Sequence, residues 1–219
     1  MAEDAPPEPQ GRRPAETGGW PPDAHARQGD ERVAEPAAEG VGHLESRVVH
    51  DGRVVHLSVD RVRYPDGSTG ELEMMRHSGA AAVLPLLDDA AAEDPTILLI
   101  RQYRYAAGGY LLEVPAGRPD PGEAWEACAR RELEEETGMV PGRLEYLTSI
   151  LTTPGFTDER IRLYLATDLT QGATTLDTDE FVEPVALPLS TALEKVRDGE
   201  IADAKTICTL LYAAGFLLG

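Results

Sequence analysis

The chain has 219 residues, 42% of them hydrophobic and 27% charged, which suits one globular domain with an appendage and a sizeable core. A formal net charge of −19 argues against electrostatic attachment to nucleic acid or to an anionic membrane, since both need basic patches. No apolar run reaches the roughly eighteen residues a membrane span needs, and two cysteines, Cys128 and Cys208, are too few for a disulfide framework and fit a reducing cytoplasm.

Residues 1–42 are rich in Pro, Gly, Ala and acid, with an isolated Trp20. This composition offers too little apolar surface to offset the entropy of ordering, so a disordered tail is expected there. The folded domain is expected over residues 43–219. Val48 and Val49, then Val54, Val55, Leu57, Val59 and Val62, flank Asp51-Gly52, a hairpin signal, and Pro65-Asp66-Gly67 marks the next turn. Glu71 to His77 reads as another strand. The more apolar runs Ala80 to Leu87 and Thr96 to Tyr103 predict central strands covered on both faces, joined by an acidic loop from Asp88 to Asp94.

Leu111 to Val114 predicts a strand that opens into a loop at Pro115-Ala116-Gly117. A helix follows from near Glu123, with Asp120-Pro121-Gly122 expected as its turn and cap. Beyond it lie strands at about Leu144 to Leu151, Ile161 to Leu169 and Phe181 to Ala186. A short helix is expected at Ser190 to Arg197 and an apolar one at Ala204 to Leu217.

The helix after Glu123 ends in Arg131-Glu132-Leu133-Glu134-Glu135-Glu136-Thr137-Gly138-Met139. Four carboxylates stand at the negative end of the helix macrodipole, where each is disfavoured by about 0.3–1 kcal/mol, and Glu132 and Glu136 share a face. Such a concentration of like charge suggests a divalent cation that reverses the local electrostatics. Glu132, Glu135 and Glu136 project to one side of a rigid support, and Mg²⁺ favours carboxylate oxygens of this kind.

Read as G-x5-E-x7-R-E-U-x-E-E-x-G-U, where U is a bulky aliphatic residue, the segment from Gly117 to Met139 resembles the Nudix box at every fixed position. The resemblance implies an α/β (α+β) fold, the Nudix αβα sandwich with a mixed sheet. It also implies hydrolysis of a nucleoside diphosphate by metal-activated water. Glu132 and Glu136 would be the principal Mg²⁺ ligands, Glu135 would assist, and the carbonyl of Ala116 would complete the site, with Mn²⁺ able to substitute. Arg131 would orient a box glutamate.

Thr153-Pro154-Gly155-Phe156-Thr157-Asp158-Glu159 places a proline about fifteen residues past the box, as in ADP-ribose pyrophosphatases. By that similarity Glu159 is the expected general base, although box glutamates serve in other members. Arg104 would contact the diphosphate, Glu113 a ribose or metal-bound water, and Arg53, Val54 and Glu73 the adenine. The N-terminal strands, residues 43–77, would also form a homodimer. ADP-ribose is therefore the leading substrate; another nucleoside diphosphate sugar or NADH, or a noncatalytic ligand sensor, are the alternatives.

Overall fold

A computed structural model describes residues 37–172 and 181–217. The expectations for residues 1–36, including Trp20, lie outside the described residues. Three strands form an N-terminal antiparallel sheet: β1 (Gly42–Asp51), β2 (His56–Arg63) and β3 (Thr69–Arg76), in the order β1-β2-β3. The first turn closes with Gly52 N–H donating to Val55 O at 2.9 Å, and the second with Gly67 N–H donating to Tyr64 O at 2.9 Å.

The central mixed sheet has the order β7-β4-β9-β8, built from β4 (Ala80–Pro85), β7 (Ala116–Gly117), β8 (Met139–Leu151) and β9 (Arg160–Gln171). Its β4–β9 pair is parallel and its other pairs are antiparallel. A further sheet, β10-β5-β6, comprises β5 (Thr96–Arg104), β6 (Gly109–Glu113) and β10 (Val182–Pro188).

Strand β4 reads Ala-Ala-Ala-Val-Leu-Pro and is buried throughout. The period-2 alternation of its side chains divides the core in two. Ala81 and Val83 pack with Cys128, Ala129 and Leu133 of helix α1 (Trp125–Thr137). Ala80, Ala82 and Leu84 face the opposite way, into a core with Ile97, Leu99, Leu189, Ala192, Leu210 and Ala213. That second layer includes α2 (Leu189–Arg197) and α3 (Ala204–Phe216), which gives the αβα arrangement. Leu133 is fully buried, so truncating it to Ala should cost about 2–5 kcal/mol and would release the box helix.

Two local features differ from the sequence reading. The Asp120-Pro121-Gly122 turn is present, with Gly122 at φ 85°, but the residue preceding α1 is Ala124, which provides no side-chain cap. The expected cap fails because α1 begins only at Trp125, beyond Glu123, which is used within the turn, accepting from Asp120 N–H at 2.9 Å and pairing with Arg131. Strand β8 also starts earlier than expected, at Met139, and runs through Pro141. It lies at the edge of its sheet, where a residue without an N–H is tolerated.

Candidate active site

Helix α1 rests its apolar side on the mixed sheet, which fixes the orientation of its acidic side. Glu132 and Glu136 are buried, at 8% and 2% exposure, and Gly138 ends the helix in the left-handed conformation, φ 72°. At the centre of the acid stands Arg131. Its Nε and Nη2 donate to the two oxygens of Glu123, both at 2.9 Å, and its Nη1 donates to Glu132 at 2.8 Å and Glu135 at 2.9 Å. Nη2 also reaches the carbonyl of Arg118 at 3.1 Å. A planar fork with five donors is the side chain suited to gather three carboxylates. The Arg131 hydrogen bonds, stronger than the opposing desolvation, hold the Glu123 carboxyl below its usual range.

The short strand β7 places Ala116 and Gly117 alongside this helix. Ala116 N–H donates to Glu136 Oε2 at 2.9 Å. Gly117 leaves the space that the Glu132 carboxylate fills: a Cβ there would overlap that carboxylate and force it to shift. Among the described residues no three His, Cys, Asp or Glu side chains converge into a ready-made metal cage. Glu132 and Glu135 are drawn onto Arg131, and Glu136 onto the Ala116 amide. The donor set is nonetheless all carboxylate, carried on one helix and brought against a glycine, and such hard oxygen donors fit a hard divalent cation.

A second charged group lies on β5, β6 and α3. Glu113 is 1% exposed and accepts from Arg104 Nε and Nη2, each at 2.9 Å, and from Lys205 Nζ. Burial pushes the Glu113 carboxyl up, but Arg104 and Lys205 together hold it below its usual range. Lys205 also pairs with Asp203 at 3.0 Å, and Asp203 caps α3 through Thr206 N–H at 2.9 Å. Thr206 Oγ1 accepts from Val114 N–H at 2.9 Å, which ties α3 to the entry of the box. The hydrogen bonds from Arg104 to Glu113 chiefly stabilise the guanidinium charge, against burial, and the charges of Glu136 and Asp203 add to this. The structure thus brings Arg104, Glu113 and the box carboxylate Glu136 into one electrostatic neighbourhood.

Glu159 is held elsewhere, at the end of the loop joining β8 to β9. Its Oε2 accepts from Thr152 Oγ1 at 2.7 Å and its Oε1 lies 3.4 Å from His77 Nδ1. Arg53 and Val54 are exposed in the β1–β2 turn, and Glu73 is exposed in β3, opposite Val59. These three belong to the N-terminal sheet and not to the box.

Residues 75–210 match the family model described as NUDIX domain. The chain belongs to the Nudix family. It is 40% identical over 171 residues to a methanol dehydrogenase activator of Bacillus methanolicus, covering 77% of this chain and 90% of that protein. It is 37% identical over 166 residues to an ADP-ribose pyrophosphatase of Bacillus subtilis, covering 75% and 87% respectively. Among solved structures, an ADP compounds hydrolase shares the Nudix fold with a TM-score of 0.70 at 23% identity, covering 84% of this chain and 97% of the other. The protein is accordingly a Nudix hydrolase.

Several residues around the Nudix site escape a reading of the sequence alone. Lys205 leaves one trace: a cation in the first turn of a helix opposes the macrodipole and so calls for a partner. That partner, Glu113, lies 92 residues away. His77 and Thr152, which flank Glu159, leave no local trace at all.

Proposed function

We propose that this Nudix hydrolase cleaves the diphosphate of ADP-ribose to AMP and ribose 5-phosphate, using Mg²⁺, with Mn²⁺ able to replace it. The observation that carries the reading is the set of box carboxylates gathered on one helix, suited to a hard cation, with the Arg104 guanidinium, suited to a diphosphate, within range of the Glu136 charge. Glu132, Glu135, Glu136 and the carbonyl of Ala116 would hold the divalent ion, which when bound neutralises the phosphate oxygens and lowers the pKa of water. Arg131 keeps Glu132 and Glu135 aligned. Arg104, braced by Glu113, would bind the diphosphate, and Glu113 would serve the ribose side by way of that arginine. Glu159 would take the proton of the attacking water.

Arg53, Val54 and Glu73 would receive the adenine on the N-terminal sheet. The reading includes a homodimer, because β1 exposes Val48 (68%) and Val49 (51%) on a strand that no other described residue covers. No helix among the described residues is long and apolar enough to cross a membrane. The cysteines are free, in keeping with a cytoplasmic enzyme.

The test is product analysis with purified protein, Mg²⁺ and a panel of ADP-ribose, UDP-glucose, GDP-mannose, NADH and diadenosine polyphosphates. Dominant release of AMP and ribose 5-phosphate from ADP-ribose is expected. Faster turnover of another compound would keep the box chemistry and overturn the substrate. No turnover with either metal would favour a ligand sensor.

A further inference from the structure

Asp60 of β2 is 3% exposed, although its sheet has an outer strand, β1, that is open to solvent. Its Oδ1 accepts from Ser46 Oγ at 2.7 Å and Ser58 Oγ at 2.8 Å, and its Oδ2 pairs with Arg76 Nη2. The other arm of Arg76 leaves the sheet. Nη1 reaches Asp158 Oδ2 at 3.3 Å, while Asp158 Oδ1 accepts from His77 N–H at 2.8 Å. One residue earlier, Met75 N–H donates to Phe156 O at 2.7 Å, and Met75 bridges Thr157 as a short parallel pair.

A continuous polar path therefore runs from Ser46 on β1 through Asp60 and Arg76 to Asp158, the neighbour of Glu159. The Nudix match begins at residue 75, so Ser46, Ser58 and Asp60 precede the matched segment while Asp158 lies inside it. Two serines and one N–H already satisfy much of the buried Asp60 carboxylate. The second arm of Arg76 makes a different connection: it joins a charge in the N-terminal sheet to a charge in the loop, each held by its own nitrogen of the guanidinium fork.

We propose that Arg76 is a positioning residue through which the N-terminal sheet sets the placement of the Thr152–Glu159 loop and hence of the Glu159 carboxylate. The inference rests on the reading of Glu159 as the base. Its consequence is that a nucleobase seated on the N-terminal sheet and the attacking water deprotonated from the loop are coupled through one guanidinium.

The test uses the full chain with Arg76→Lys, Asp158→Asn and the double variant. Lysine retains a cation for Asp60, so the sheet stays folded, but it lacks the second nitrogen with which Arg76 reaches Asp158. Amide exchange at Met75 and His77 reports loop docking, and kcat and KM report its consequence. Expected are faster exchange at both amides, kcat lower by about ten- to a hundredfold with KM changed far less, and a double variant no worse than the worse single one. Wild-type exchange and wild-type kcat in both single variants would overturn the proposal, as would losses that add in the double variant. Glu159→Gln separates the two ideas. If it keeps wild-type kcat, the base assignment fails, and amide exchange alone then decides whether Arg76 places the loop.

Discussion

Gly117 and Glu132 occupy adjoining space so closely that the glycine has no room for a side chain: a Cβ there would overlap the Glu132 carboxylate. The first glycine of the box thus acts by shape. Gly117→Ala should push Glu132 off Arg131 and lower kcat by about a hundredfold while Tm falls only modestly, because the strain is relieved by moving one carboxylate. Steady-state kinetics with ADP-ribose and a thermal melt check this. An active Ala variant would mean that Glu132 tolerates displacement and contributes little to the site.

Arg131 is the cation that makes this density of acid tolerable. Arg131→Met leaves Glu123, Glu132 and Glu135 without their shared donor, and a loss of about 2 kcal/mol or more is expected from stranding charged acceptors. The same change makes the pocket more negative, so added Mg²⁺ should raise the Tm of the variant more than that of the wild type. Melting curves with and without Mg²⁺ decide it. Equal shifts would show that Arg131 and the ion do not share the same carboxylates.

Cys128 and Cys208 should behave in opposite ways towards an alkylating reagent. Cys128 is fully buried under the box, its thiol donates to Gly117 O at 3.6 Å, and burial with the Glu132 charge pushes its pKa up to about 12. Cys208 is exposed. Iodoacetamide at pH 8 should give one adduct on the native protein, at Cys208, and two in denaturant, read by mass spectrometry. Rapid native labelling of Cys128 would show that α1 lifts from its sheet.

The box was legible because its residues are contiguous: Gly117 to Met139 carries glycine, arginine and carboxylates at fixed intervals, and helix geometry turns that spacing directly into one face. The strands around β4 and β5 were legible from their apolar runs. Other features depend on contacts that spacing does not encode. Arg76 meets Asp158 across 82 residues and Lys205 meets Glu113 across 92. The start of α1 was obscured because Glu123, which looks like the first turn of a helix, folds back onto Asp120 and Arg131. Pro141 hid the first part of β8, since whether a proline is tolerated depends on which strand lies at the edge.

Lys205 should matter through Glu113, and acid is the condition that reveals it. The folded-state pKa of Glu113 lies below its usual value, so its contribution to stability is present above about pH 4.3 and is lost as pH falls towards the depressed value. Lys205→Met removes one of the two cations while the burial remains. Burial then weighs more heavily on the charged form, the pKa of Glu113 rises, and the loss of stability should begin at higher pH than in the wild type. Urea midpoints measured between pH 3 and 7 for wild type, Lys205→Met and Lys205→Arg test this, with the arginine variant expected to restore most of the difference. Arg104, left as the sole cation on Glu113, is drawn more firmly to that carboxylate and should bind the diphosphate less well, raising KM about tenfold with a smaller change in kcat. Superimposable pH curves for all three proteins would place the control of Glu113 with Arg104 alone.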